Sequence, residues 1–383
     1  MGAEPPQSGM LPAREHPRRP IADARLRIGI LTFHRCINYG SYWQARCLAA
    51  GLRSRGHDVV LLDHHLPAAD EAELACALQP LLPLTSTPAD SAHYAMKVER
   101  FRAAVGQLPL SRPFALDRPE AADHHDLIII GSDEVWNLDH PWYGGQPTFF
   151  GEGLPADRTI AYAASFGNVD ASAALDACWA GRLRQLAAIS VRDENSRRLV
   201  TRAIGRSPPL VLDPCLQFPP RLAAPRPVTS PAPATGRPYL AIYGHSMPDW
   251  FALAASRWAR RRGYAMLSVG YRNDWADRQH LSAGPLEFAE IIGNAAAVVT
   301  NFFHGCVFAL LGAKPFACVA SPYRLNKVRG LTDQLGLASH LLASAASAHR
   351  MDDLLDHPLD AALAHRLALW RERSDTYLDG ILG

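Results

Sequence analysis

The chain has 383 residues, of which 20% are charged and 48% apolar. This is an ordinary globular composition, long enough for two or three domains whose core needs no staples. Lys plus Arg exceed Asp plus Glu by 39 − 37 = +2, so no charge excess points to nucleic acid or a membrane surface as partner.

The first 25 residues carry Pro5, Pro6, Pro12, Pro17 and Pro20 among charges, with no apolar run. A disordered tail is expected there rather than a secretory signal. No apolar stretch of about 18 residues occurs anywhere, so no integral membrane segment is expected. The seven cysteines are scattered, odd in number and free of C-x-x-C pairs. That argues against a metal cluster or a disulfide framework and for a reducing, cytoplasmic compartment.

Residues 27–32 read as a first strand, 34–41 as a polar loop, and 43–54 as a helix with Ala45, Leu48, Ala49 and Leu52 on one face. Residues 59–63 follow as a second strand, which completes a βαβ unit. An irregular stretch with a helix near 92–108 comes next. The apolar run Leu127-Ile128-Ile129-Ile130, entered from Asp126 and left through Gly131, reads as a buried parallel strand. Strands are then expected at 159–165, 188–191 and 210–214, with helices at 175–186 and 194–203. Residues 219–238 hold seven prolines and mark a linker. A second α/β pattern follows, with strands at 239–243, 265–269, 297–300 and 315–319. Its helices fall at 250–262, 285–294 and 306–311, and one or two more close the chain at 356–382.

The expected fold class is therefore α/β, with two Rossmann-like doubly wound domains over 26–218 and 239–355 and helices over 356–383. A cleft between such halves is a preferred place for a ligand. In open α/β sheets, binding groups gather beyond the carboxyl ends of the strands. Four loops fall there: His34–Ser41, Gly131–Trp136, Arg192-Asp193 and Asn301–Gly305, with Ser165 and His245 in equivalent positions. The turn Asn38-Tyr39-Gly40-Ser41 precedes a helix, where free N–H groups make an anion site. His304, at a helix start beside Gly305, suits proton transfer or phosphate contact. Arg192 offers a guanidinium fork to a carboxylate or phosphate, and Arg324 and Lys327 lie where they could face the same cleft. No dinucleotide fingerprint follows the first strand, and neither the P-loop motif nor G-x-S-x-G occurs. The adjacent pairs His64-His65 and His124-His125 point to opposite faces of a strand and make no metal site.

Taken in order, several of these segments resemble the polysaccharide pyruvyl transferase family. They are Ile28-Gly29-Ile30 with Asn38-Tyr39-Gly40, Gly131-Ser132-Asp133-Glu134-Val135-Trp136-Asn137, Ala161-Tyr162-Ala163-Ala164-Ser165-Phe166-Gly167, Ser190-Val191-Arg192-Asp193, Leu212-Asp213-Pro214 and Thr300-Asn301-Phe302-Phe303-His304-Gly305. The resemblance runs from about residue 26 to 340. It implies a two-domain fold of the GT-B type and transfer of pyruvate from phosphoenolpyruvate onto two sugar hydroxyls as a ketal. It makes phosphoenolpyruvate a co-substrate, with no cofactor or metal, and a sugar or glycoconjugate the acceptor. A homo-oligomer is compatible with it. On the resemblance, His304 and Asp133 are the catalytic candidates. Arg192, Asn301, Gly305, Arg324, Lys327 and His245 are assigned to the donor, and Asn38, Tyr39, Gly40, Ser41, Ser132, Trp136 and Ser165 to the acceptor.

One position departs from the family. Many members carry Arg two residues before the histidine, and this chain has Phe302. Either Arg324, Lys327 or Arg192 replaces that guanidinium, or the donor is no longer phosphoenolpyruvate. The competing expectations are a nucleotide-sugar glycosyltransferase on the same scaffold, a natural-product tailoring transferase with another donor, and an inactive binding paralogue.

Overall fold

A computed structural model describes residues 25–83, 86–172, 174–220 and 237–383. The tail expected before residue 25 and most of the Pro-rich segment 219–238 lie outside the described residues. The described strands are β1 Arg27–Leu31, β2 Asp58–Leu61, β3 His64–His65, β4 Phe114–Ala115, β5 His125–Ile130, β6 Ala156–Ala164 and β7 Ile189–Val191 in the first half. The second half has β8 Tyr239–Tyr243, β9 Ala265–Val269, β10 Arg278–His280, β11 Ala297–Thr300 and β12 Phe316–Cys318.

Two five-stranded sheets form, in the orders β2-β1-β5-β6-β7 and β10-β9-β8-β11-β12. Every pairing in both is parallel. Counted along each half, these are the two common doubly wound orders, and each reverses direction beside its first strand. The reversal points fall between β1 and β5 and between β8 and β11. The loops leaving those four strands include the stretches 131–136 and 301–305 that the sequence singles out. Apolar runs explain the central positions: residues 127–130 are fully buried, as are all five residues of β8.

Several elements differ from the sequence reading. The first helix, Tyr39–Arg53, starts four residues early, because Asn38 caps it and Tyr39 and Tyr42 bury their rings in the core. Residues 210–214 form no strand. Only an isolated bridge between Leu210 and Val191 survives, and Pro214 opens a short helix, Pro214–Gln217. The pair β3/β4 and strand β10 went unread, since two- and three-residue strands carry no periodic signal, and helix Pro67–Leu78 falls in the stretch read as irregular.

The halves share a core. Tyr39 stacks on Phe288 at 4.1 Å, and its hydroxyl donates to the Ala283 carbonyl at 2.7 Å. The Trp43 indole donates to the Pro285 carbonyl at 3.0 Å. The last helix, Ala362–Leu382, returns to the first half. Leu378 and Leu382 join the core of β1, β2 and β5, and Arg55 pairs with Asp375 and Asp379 at 2.6 and 2.7 Å.

Candidate active site

The site is assembled where the strand ends of both halves meet. After β5 the chain turns at Gly131, whose φ of +112° is open to glycine alone. A Cβ there would also overlap the Tyr162 carbonyl oxygen of β6. That close approach aims Ser132, Asp133 and Glu134 inward. Arg192 leaves the end of β7 and is 4% exposed. Its guanidinium donates to the Ser132 carbonyl at 2.7 Å, to Asp213 at 2.9 Å and to Asp133 at 3.1 Å. It also lies over the Phe303 ring at 4.7 Å. Asp133 accepts the Ser41 hydroxyl on its other oxygen at 2.8 Å.

His304 meets this network from the second half. Its Nε2 stands 3.5 Å from the Asp213 carboxylate, too long for a good hydrogen bond, and that nitrogen otherwise lacks a partner. Burial pushes the Asp213 carboxyl up, but the nearby His304, the Arg192 guanidinium and the Cys215 N–H outweigh it and hold it at about 2. Burial likewise opposes ionisation of Asp133, and Arg192, His304 and the Ser41 hydroxyl win, so its carboxyl is also lowered. The dyad is thus an imidazole facing a permanently ionised carboxylate.

The second half adds an aromatic wall. Phe302 meets Tyr243, His245 and Tyr271 edge-on at 4.9, 5.5 and 5.4 Å. The Arg324 guanidinium lies 4.4 Å over the Phe302 ring. Its one polar contact is the Ser321 hydroxyl at 3.4 Å, and no carboxylate pairs with it among the described residues. Lys327 differs: it is paired with Glu134 across the halves at 2.5 Å. These groups enclose a cavity of about 230 Å³, lined by Asp133, Glu134, Arg192 and His304 with the aromatic wall and Arg324.

The sequence profile of the family described as polysaccharide pyruvyl transferase matches residues 38–322. The chain belongs to the polysaccharide pyruvyl transferase family. No curated protein matches it. Among solved structures it is similar to the glycosyltransferase SnogD from Streptomyces nogalater, at 15% identity over 94% of this chain and 100% of that one, with a TM-score of 0.43. The UDP-GlcNAc 2-epimerase from Methanocaldococcus jannaschii matches at 11% identity over 86% and 92%, TM-score 0.43. The MnaA–UDP co-structure from S. aureus matches at 9% identity over 93% and 96%, TM-score 0.46.

Phe302 stands at the position where many members of the pyruvyl transferase family carry Arg. Of the three cations that could replace that guanidinium, Arg192 is engaged by two carboxylates and Lys327 by one. Only Arg324 brings an unpaired charge to the cavity, and Phe302 supplies the face on which it rests. Burial holds the Arg324 pKa below its ordinary value, against the pull of Tyr271, Tyr243, Tyr323 and Glu134. A desolvated cation of this kind gains most from an anionic ligand.

Eight of the sequence candidates line the cavity: Asn38, Ser41, Asp133, Arg192, His245, His304, Arg324 and Lys327. The others are placed elsewhere, which corrects their expected contacts. The Tyr39 ring is spent on the shared core. Trp136 is fully buried and donates to the Phe149 carbonyl at 2.8 Å. Ser132 donates to Gln44 at 2.9 Å, and Ser165 accepts the Gly167 N–H at 2.9 Å. Gly305 is packed on the Thr300 hydroxyl, and Asn301 ties its loop to the His245 carbonyl at 2.7 Å. Gly40 serves a different purpose: a Cβ there would overlap Nδ1 of His304. The Asn38–Ser41 turn is no free anion site either, because the Asn38 side chain accepts the Gly40 and Ser41 N–H groups at 2.8 and 3.4 Å. Helix Phe303–Leu311, which carries His304 in its first turn, starts without a side-chain cap.

Asp213 is the main residue missed as a site candidate. Its signals were a carboxylate closing an apolar run before a proline and the place of Leu212-Asp213-Pro214 among the segments that resemble the family. Asp213, Cys215 and His304 bring three ligand atoms within 4.8 Å, yet they suit a dication poorly. Arg192 already holds the carboxylate, and burial, Cys47 and Asp213 keep the Cys215 thiol protonated.

Proposed function

We propose that the protein transfers pyruvyl from phosphoenolpyruvate onto two hydroxyls of a sugar or glycoconjugate, with His304 as general acid. The observation that carries this reading is the presence, in one cavity, of His304 and of the Arg324 guanidinium, which no carboxylate pairs with among the described residues. Arg324, the uncapped start of helix Phe303–Leu311 and the hydroxyls of Tyr243 and Tyr271 suit the phosphate and carboxylate of the donor. Asp133, Glu134 and Ser41 on the opposite side suit sugar hydroxyls.

The chemistry balances with these groups. His304 gives a proton to the methylene carbon of the donor, and C2 becomes cationic. The first sugar hydroxyl adds to C2 and returns its proton to His304. Phosphate then leaves, the second hydroxyl closes the ketal, and its proton departs with the phosphate. Asp213 stabilises the imidazolium that starts the cycle. Among the described residues, no helix is long and apolar enough to cross a membrane. All seven cysteines are free, which supports a cytoplasmic setting.

Calorimetric titration with phosphoenolpyruvate and with UDP tests the donor. Incubation with phosphoenolpyruvate and a panel of methyl glycosides, read by mass spectrometry, tests the reaction. Phosphoenolpyruvate binding and a pyruvate-ketal product are expected. Binding of UDP with none of phosphoenolpyruvate would transfer the case to a nucleotide-sugar glycosyltransferase.

A further inference from the structure

His140 follows the Gly131–Asn137 motif in a run of tight turns and lines the cavity on the side of Asp133 and Glu134. Its Nδ1 accepts two backbone N–H groups, from Trp142 at 3.3 Å and Tyr143 at 3.2 Å. Two protons aimed at one nitrogen leave no room for a third, so the ring proton sits on Nε2. The ring is gripped by Phe33 at 4.9 Å, Trp142 at 5.5 Å and Tyr143 at 5.7 Å. Burial lowers its pKa, against Glu134 and Asp133 and with the help of Lys327. Nε2 itself has no hydrogen-bond partner among the described residues. What faces the cavity is therefore a neutral imidazole locked as a donor, unable to accept a proton at that nitrogen.

We infer that His140 is a specificity-determining residue of the acceptor side, whose Nε2–H donates to a hydroxyl oxygen of a pyranose. This rests on the sugar-acceptor reading above. A sugar hydroxyl both donates and accepts. The fixed N–H supplies the donor, and the neighbouring carboxylates accept the hydrogen bond that the hydroxyl gives. Phe33 and Trp142 offer apolar faces for the C–H side of the ring. Such a site disfavours a sugar that is deoxygenated at the contacted carbon, because the hydrogen bond from the half-buried imidazole would be lost.

The test uses the full-length protein and methyl glycosides of galactose, glucose and mannose. Nitrogen–proton correlation spectra of the histidine side chains, with His140→Asn to assign the signal, read the tautomer. An Nε2–H form is expected, with its signal shifted by at least one glycoside. His140→Phe should weaken binding of that glycoside by about tenfold or more. His140→Gln, which keeps an N–H at similar reach, should restore most of it. An Nδ1–H tautomer, a signal that no glycoside moves, or wild-type affinity in His140→Phe would overturn the assignment. Phosphoenolpyruvate binding by the wild-type protein is read separately. Its failure removes the donor reading and leaves the tautomer and glycoside results standing on their own.

Discussion

The imidazole of His304 rests directly on the backbone of Gly40, so that the first turn of a helix in one half supports the proposed acid of the other. Gly40 lies inside a helix, where alanine is favoured by about 1 kcal/mol. Gly40→Ala should nevertheless displace His304 and lower turnover by about a hundredfold, since misplacement on the scale of 1 Å has that effect. Circular dichroism should show an unchanged fold. Wild-type turnover in this variant would mean that His304 is not held by the contact.

His304→Ala is expected to reduce kcat by about two orders of magnitude or more, as general acids of this kind contribute. Asp213→Asn should also reduce it, because the amide cannot stabilise the imidazolium. Single-turnover assays with phosphoenolpyruvate in excess distinguish this from a binding defect. Undiminished turnover in His304→Ala would remove the acid assignment.

Arg324→Ala should weaken phosphoenolpyruvate by about 2 kcal/mol, roughly thirtyfold, the loss of a hydrogen bond to a charged group. Arg324→Lys should recover part of it and not the whole, because an ammonium lacks the planar fork. Calorimetry at constant ionic strength reads both. Unaltered affinity in Arg324→Ala would place the anion elsewhere.

Glu73 predicts a pH effect on stability. It is buried and accepts the Ile37 N–H at 2.7 Å. Burial raises its carboxyl to about 7, against hydrogen bonds from Ile37 and Cys36. The native state thus keeps a proton between pH 4.5 and 7 that the unfolded chain has lost, and stability falls as pH rises through that window. Glu73→Gln removes the titration. It should be more stable than wild type at pH 8 by up to about 3 kcal/mol and equal to it near pH 4. Urea midpoints at the two pH values, compared as differences from wild type, check this. A difference that does not change with pH would contradict it.

The sheet strands and the loops at their carboxyl ends were legible because buried parallel strands are written as apolar runs. The strand Ala297–Thr300 and the helix Pro285–Asn294 fall where the sequence places them. Asp133, Arg192 and His304 could be read because each closes such a run. Trp136 and Ser165 were misplaced because a motif does not say which of its residues turn inward. Both support the loop from beneath, with the Trp136 N–H donating to the Ser165 carbonyl at 3.1 Å. Asp213 was obscured for a different reason: it meets His304 only once both halves are folded. His140 was obscured because its setting is a run of tight turns with no motif, in which the N–H groups of Trp142 and Tyr143 fix the ring.

The final helix, Ala362–Leu382, starts beside the second sheet's half and ends in the core of the first. The backbone therefore passes between the halves twice. Two crossings leave the halves fewer relative movements than a single tether would. The crevice that holds His304 and Arg324 thus lies between halves that the double crossing and the Tyr39–Phe288 contact hold together.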